Sequence, residues 1–404
     1  AISASAINTI SEFVPQGWAN TVWAFATLEF RDVPLLESIS QEALRKLAVD
    51  ASRQDGGTIS ADDSLALFGL LHALSIADCV DTALLEAATQ ALARRGRAMD
   101  ARLGHSAAAA QSDLEAELRR GEQLSEELPR LLKVKGELAV LWKPPGWVVS
   151  VQDADSGPEM KDLDFQGLRQ GSESRPRGFE EGQQKLQDWL EREFGPRFPV
   201  ARDVSAGMGI MHRLDKDTSG AILWASSYAG YFAAKLQFCA QRVEKEYVCL
   251  CHGHLQTTLP KFLTAALAEC SQVDGGGPAR CHVDEDKGRA ASTELMAVGL
   301  MTCPDGQPAS LVRISLHSGR QHQIRAHLSH EGHPLFGDPL YGGSTPSWVP
   351  RVFLHSYRLA LDAGDGLLDT QVQLPTDLRA ALEVLSPVDD AGAALRDWAL
   401  GLGD

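Results

Sequence analysis

Nothing in the 404-residue sequence approaches the ~18 consecutive apolar residues that a membrane-spanning helix requires, so no such helix and no membrane partner are expected. A disulfide framework is missing too. The seven cysteines (79, 239, 249, 251, 270, 281 and 303) are odd in number and irregularly spaced in a long chain, which points to free thiols in a reducing, intracellular compartment. The chain begins at Ala1 without an initiator Met and without a basic segment followed by an apolar run, so it is expected to be a fragment or a processed form. Positive charge is scarce: Lys and Arg number 38 against 54 Asp and Glu, a net charge of −16. This argues against a broad basic face for a polyanion. The shortage is uneven, however. Residues 201–360 carry 15 Lys and Arg against 14 Asp and Glu, whereas 361–404 carry 2 against 9 and 1–200 carry 21 against 31.

What is present suits a folded chain of two or three domains, given 44% hydrophobic residues and ~100–200 residues per domain. Residues 1–98 read as a small all-α region. Segments 18–28, 33–47, 64–74 and 82–95 have helical spacing, with Pro34 suited to a first turn. Ala24-Phe-Ala-Thr-Leu28 superposes on Leu70-Leu-His-Ala-Leu74 at an offset of 46, the period of a two-helix repeat. Residues 99–130, rich in Ala, Glu and Arg, read as a solvated helix or linker. From about 131 to 388 the period changes to strands and turns. Two polar insertions are expected near 151–183 and 256–286, and an acidic tail at 389–404. Helices are expected at 184–194 and 228–240, and strands at 243–253, 290–299 and 310–316. The fold class is α+β, a mixed and mainly antiparallel sheet domain preceded by the helical region.

One stretch concentrates chemistry: His212-Arg-Leu-Asp-Lys-Asp-Thr-Ser-Gly220, set between the apolar runs Gly209-Ile-Met211 and Ala221-Ile-Leu-Trp224. It reads as a tight loop anchored in a core, closed by residues that hydrogen-bond locally and permit close backbone approach. Asp215 has Arg213 and Lys216 beside it, and positive charge keeps a carboxylate ionised, which suits a nucleophile or a base. A solvated turn with a surface ion pair fits the charge pattern alone equally well.

These nine residues resemble the central motif of the RluA-type RNA pseudouridine synthases. Three further segments resemble that family in the same order: Lys143-Pro-Pro-Gly146 (with Trp142 where the family has Asn), Lys245-Glu-Tyr247, and His317-Ser-Gly-Arg-Gln-His-Gln-Ile-Arg325 running on to Tyr341-Gly342. His317 replaces the usual Thr. Closing segments at 353–360 and 374–378 also match, so the resemblance spans roughly 138–385. The S4 appendage common in the family is not evident. The Asn-Thr-Val-Trp-Ala-Phe-Ala segment at 20–26 resembles the octotricopeptide-like helical repeats of organellar RNA-binding proteins. A plain helical bundle fits that region as well.

The resemblance implies an isomerase that turns uridine in RNA into pseudouridine, without cofactor or metal, acting as a monomer and possible in a chloroplast or mitochondrion. It implies catalytic roles for Asp215, Tyr247 and Arg325. Asp215 acts on the ribose after the base is flipped out, either as nucleophile or as base toward the 2′ hydrogen. Tyr247 holds the uracil and assists the carbon-5 proton, and Arg325 fixes the carboxylate. Arg213, Ile324, Arg320 and His212 are the expected substrate-binding residues, with Arg213 filling the vacated place in the stack. The target can be ribosomal, transfer or messenger RNA. With no broad basic face, modest nonspecific RNA affinity is expected.

Two other readings compete. A binding protein could keep the fold without catalysis. A metal hydrolase could use the histidines at 317, 322, 327, 330 and 333, or Cys249-Leu-Cys-His-Gly-His254. The His-Glu-Gly-His spacing at 330–333 is wrong for a zinc helix motif, and Cys249 and Cys251 lack a second pair.

Overall fold

The computed structural model describes residues 7–149, 183–268 and 280–402, apart from 8, 29, 53–57, 106 and 122. The insertion expected at 151–183 lies outside the described residues except for its last position, as does the 269–279 part of the second one.

Among the described residues, a short 3-10 turn (Ile10–Glu12) and four α-helices build the N-terminal region: α1 (Pro15–Thr27), α2 (Val33–Ala51), α3 (Ala61–Ile76) and α4 (Thr82–Arg102). Their starts follow capping chemistry. Asp32, Ser60 and Asp81 accept from backbone N–H groups of the first turns of α2, α3 and α4, and Pro15 and Pro34 occupy first-turn positions where no N–H is needed. α1 packs on α3 and α2 on α4. The shared core includes Trp18, Val22, Leu36, Leu71, Leu74 and Leu92.

A fifth helix, α5 (Ala107–Gly121), lies in the segment read as a solvated helix or linker, and one side of it is buried. Ala110, Leu114 and Leu118 fall four apart and form an apolar stripe. Leu114 is fully buried against the sheet domain, in contact with its first strand.

The sheet domain follows. In chain order its elements are β1 (Arg130–Lys135), β2 (Leu138–Lys143), α6 (Leu186–Phe194), β3 (Ser219–Ala225), α7 (Tyr228–Cys239), β4 (Glu244–His252), β5 (Lys261–Leu263), β6 (Thr293–Thr302), β7 (Pro308–Leu316), α8 (Gln323–His330), β8 (Leu354–Asp362), β9 (Leu367–Gln371), α9 (Thr376–Glu383), β10 (Ser386–Pro387) and α10 (Asp390–Ala399). The strands form one sheet in the order β1-β2-β3-β8-β4-β7-β6-β10, with β5 on β6 and β9 on β8. Every pairing is antiparallel except β3 with β8, at the centre. The parallel pair needs close approach: Gly220 has φ 125°, and a Cβ there would lie 2.2 Å from the Ser356 carbonyl oxygen. The domain is thus the mixed, mainly antiparallel α+β fold expected.

Within the segment read as an acidic tail, residues 390–399 form a packed helix. Asp389 caps α10 through the Gly392 N–H (2.7 Å), and the Trp398 ring lies 4.6 Å from Tyr357 and under Arg313. The acid count had masked its apolar side. The expectation of free thiols also needs correction, because Cys281 is disulfide-bonded while Cys79, Cys239, Cys249, Cys251 and Cys303 are free.

The helical region is docked on the sheet domain through α7. Gly96 of α4 packs so closely that a Cβ would meet the Ala229 Cα at 2.3 Å. Asp100 accepts from the N–H groups of Tyr228 and Ala229 (3.0 and 3.1 Å), capping α7 from a different region of the chain. At the other end, Ser75 donates to the Ala240 carbonyl (3.2 Å), and His72 Nδ1 lies 3.2 Å from the Cys239 carbonyl oxygen.

Candidate active site

The 212–219 loop enters β3 from a short antiparallel bridge, Ile210 opposite Trp224. The Leu223 N–H donates to His212 Nε2 at 2.9 Å, and the His212 ring faces Phe238 at 5.7 Å. Burial, with the nearby Lys245 charge, lowers the His212 pKa to about 3, so the ring is neutral. His212 therefore anchors the loop to β3 in the core.

The loop is tied along its length by groups distant in sequence. The buried ammonium of Lys143 donates to the carbonyls of Pro144, Lys216 and Thr218 (2.9, 2.9 and 2.7 Å). Its three donors match three acceptors. The Gly146 N–H also donates to the Lys216 carbonyl at 2.8 Å. Arg351, paired with Asp377 at 2.7 Å, donates to the Asp217 carbonyl (2.8 Å) and to Ser219 Oγ (2.9 Å). Asp215 is thus presented on a fixed backbone.

Its carboxylate meets α8. Arg325 Nη1 donates to Asp215 Oδ2 at 3.0 Å, and His322 Nε2 lies 3.8 Å from Oδ1. The opposite edge of the same guanidinium is clamped by Asp338, from Nε at 2.7 Å and from Nη2 at 2.8 Å. The Tyr341 ring lies 4.9 Å beneath it, and the Tyr341 hydroxyl bonds His322 Nδ1 at 3.0 Å. Arg325 is therefore aimed by one carboxylate at another. Burial alone would raise the Asp215 pKa, but the charges of His322, Arg325 and Arg213 outweigh it and hold the carboxyl below its usual range. His322 is itself pushed down, chiefly by burial, and is neutral at pH 7, so the lasting counter-charge is Arg325. The Asp215 side chain remains 19% exposed, which leaves an ionised oxygen accessible.

Tyr247 stands in the middle of the sheet, opposite Ile314 on β7 and Ser356 on β8. It is buried in the same apolar cluster as Leu214 and Ile324. The geometry thus joins a fixed carboxylate to a guanidinium, with the Tyr341 ring beneath the guanidinium and Tyr247 in the adjoining apolar cluster.

Residues 137–330 match the family model described as RNA pseudouridylate synthase. Over these residues the sheet domain is similar to the RNA pseudouridine synthases. It is similar to the ribosomal large subunit pseudouridine synthase D of Nitrosomonas europaea, 32% identical over 195 residues, covering 44% of this chain and 51% of that one. It is also similar to an uncharacterized RNA pseudouridine synthase of Helicobacter pylori, 30% identical over 179 residues (42% and 66% covered). A third relative is the tRNA pseudouridine synthase C of Pasteurella multocida, 32% identical over 164 residues (37% and 65% covered). The chain spans between about half and two thirds of the length of these relatives.

In the sheet domain, the expected residues Asp215 and Arg325 are joined directly, and Tyr247 and Ile324 share one apolar cluster. Arg213 is half-buried and close enough to lower the Asp215 pKa. Arg320 stands in the turn before α8; its N–H donates to Gln323 Oε1 (2.9 Å) and its Nε to the Ala290 carbonyl (3.2 Å). Asp338, Tyr341 and Lys143 escaped the sequence reading of the site, although each lies inside a segment already singled out. The histidines once considered as metal ligands are dispersed. His317 pairs with Glu294, His327 bonds Thr293 and the Ala265 carbonyl, and His333 bonds the His252 carbonyl. Among the described residues, no three His, Cys, Asp or Glu side chains are grouped to hold a metal, and no helix is long and apolar enough to cross a membrane.

Proposed function

We propose that this chain isomerises specific uridines in RNA to pseudouridine. The observation that carries the reading is the Asp215 carboxylate, accessible yet fixed by an arginine that Asp338 clamps from behind. The reaction breaks the N-glycosidic bond, turns the uracil and rejoins it through carbon 5, so it consumes no redox equivalent or energy donor. Asp215 acts on the ribose while the base is detached, as nucleophile or as base toward the 2′ hydrogen. Arg325 positions it. Tyr247 stacks on the free uracil with Ile324 packing from the other side, and its phenol assists loss of the carbon-5 proton. Arg213 fills the gap left by the flipped base, whose unstacking costs a few kcal/mol. Arg320 contacts phosphate or sugar. The relatives' names point to ribosomal and to transfer RNA, so both are candidate substrates.

The helical region, read as octotricopeptide-like repeats, contributes RNA contacts and favours an organelle as the site of action. The chain works as a monomer. Its working parts are the helical region to 98, the linker to 130 and the catalytic domain from 131 to 388.

The test is pseudouridine formation on mixed cellular RNA in the presence of chelator, mapped by mass spectrometry, with wild type beside Asp215→Ala. Product from the wild type alone upholds the reading and names the target. RNA binding by both proteins with product from neither moves the chain to the inactive-binder class. Activity abolished by chelator reopens the metal reading.

A further inference from the structure

The helical region closes a crevice beside the site. It has a volume of about 160 Å³ and is walled by His72 of α3 on one side and by Phe238, Val243, Lys245, Leu316 and Arg320 of the sheet domain on the other. Pockets for drug-sized ligands hold roughly 300–1,000 Å³, so this one suits a single planar ring. Its chemistry is that of a nucleotide site. Apolar and aromatic surface comes from Phe238, Val243 and Leu316, and cationic groups from Lys245 and Arg320. The one carboxylate in its wall, Glu244, is paired with Arg358 at 2.7 Å.

The crevice is separated from the catalytic loop by one ring, Phe238. The Phe238 ring lies 5.7 Å from His212, at the start of that loop. Lys245 lies two residues before Tyr247 on β4, with its ammonium 5.7 Å from the Phe238 ring centre. Arg320 is held by Gln323 at the start of the helix that carries Arg325. On the outer side, Trp23 of α1 stacks on His72, with ring centres 5.7 Å apart and planes 26° apart, and is 41% exposed. An exposed indole braced by an imidazole presents a flat face on the far side of His72, the residue that walls the crevice.

Resting on the reading of this chain as a pseudouridine synthase, we propose that the crevice and the Trp23 face form a subsite for single-stranded RNA flanking the target uridine. One base enters between His72 and Phe238, its phosphate is met by Arg320, and the next base stacks on Trp23. Stacking on aromatic side chains accepts any base, so the subsite holds the strand without reading its sequence. It would also give the helical region a share of the substrate contact that an acidic chain otherwise has little surface to supply.

The test is fluorescence anisotropy of a fluorescein-labelled ten-nucleotide oligouridylate with the full chain, comparing wild type, Trp23→Leu and Trp23→Phe, each first shown to melt like the wild type. Trp23→Leu keeps apolar bulk but loses the π-face, and should weaken binding on the order of tenfold, while Trp23→Phe should restore most of it. Equal binding by wild type and Trp23→Leu, or no binding by the wild type, overturns the subsite. Pseudouridine formation on mixed cellular RNA is run in parallel. Product formed with Trp23→Leu binding intact sinks the subsite alone. Weakened binding with no product from the wild type upholds the subsite as an RNA contact and sinks the catalytic reading.

Discussion

Arg325 works only because other side chains aim it. Asp338 takes two of its donors in a buried pair, and removing one partner of such a pair leaves a stranded charge that costs about 3–5 kcal/mol. Asp338→Ala should therefore destabilise the domain by about that amount, read by urea unfolding, whereas Asp338→Asn should fold and lose kcat with little change in KM. A fully active Asp338→Ala protein of wild-type stability would show that the clamp is idle. Lys143 offers a second case. Lys143→Met takes the ammonium from the Pro144 and Thr218 carbonyls, at about 1–3 kcal/mol for each one left without a partner, while the Lys216 carbonyl keeps the Gly146 N–H. Because it also releases the Asp215 backbone, kcat should fall on the order of a hundredfold; an unchanged kcat would mean that the loop holds its shape without the ammonium. Two buried histidines set the acid limit. Burial first of all lowers His212 to about 3 and His355 to about 4. Both are neutral when folded and take protons more readily when unfolded, so their contribution is present above about pH 6.5 and declines as pH falls toward 3–4, by up to about 1.4 kcal/mol per pH unit for each. Urea midpoints should drop between pH 7.5 and pH 5, and equal midpoints would refute this. Asp215 makes no demand in that window, because its carboxyl stays ionised below it.

Among the elements, α7 links the two regions of the chain. Its N-terminus is capped by Asp100, its C-terminal end is bonded from α3, and Gly96 lets α4 lie against it. Gly96→Val should cost at least about 1–3 kcal/mol through overpacking and weaken docking of the helical region, seen as a lower melting temperature and earlier proteolysis between the two regions. Wild-type melting and protease resistance would show the contact to be slack. Elements also show where the sequence was readable. The four N-terminal helices and the central strands could be read because their apolar periods are regular and their caps local. The buried sides of α5 and α10 were harder to read, because the large apolar residues that pack them, such as Leu114 and Trp398, are sparse among Ala and charged residues. In the site, Asp215 and Arg325 could be read because each sits in a contiguous motif. The roles of Lys143 and Arg351 could not, since their partners lie 73–75 and 132–134 residues away and only the β2–β3–β8 arrangement brings them together.

Across the whole molecule, net charge and site charge oppose each other. The chain carries −16, and besides Arg325, Lys143 and Arg351, which hold the loop and its carboxylate, the cations near the site are Arg213, Lys216, Arg320 and Lys245. If three of them meet phosphates, single-strand binding should fall with a log–log salt slope of about −2. A slope steeper than about −5 would demand a basic surface elsewhere. The central claim concerns the bond to uracil carbon 5. Its most direct measurement is tritium release from RNA labelled at carbon 5 of uridine, wild type against Asp215→Asn. The account expects steady release by the wild type, matched by pseudouridine formed, and none by the variant. Release by Asp215→Asn at the wild-type rate would contradict it and place the chemistry on another residue.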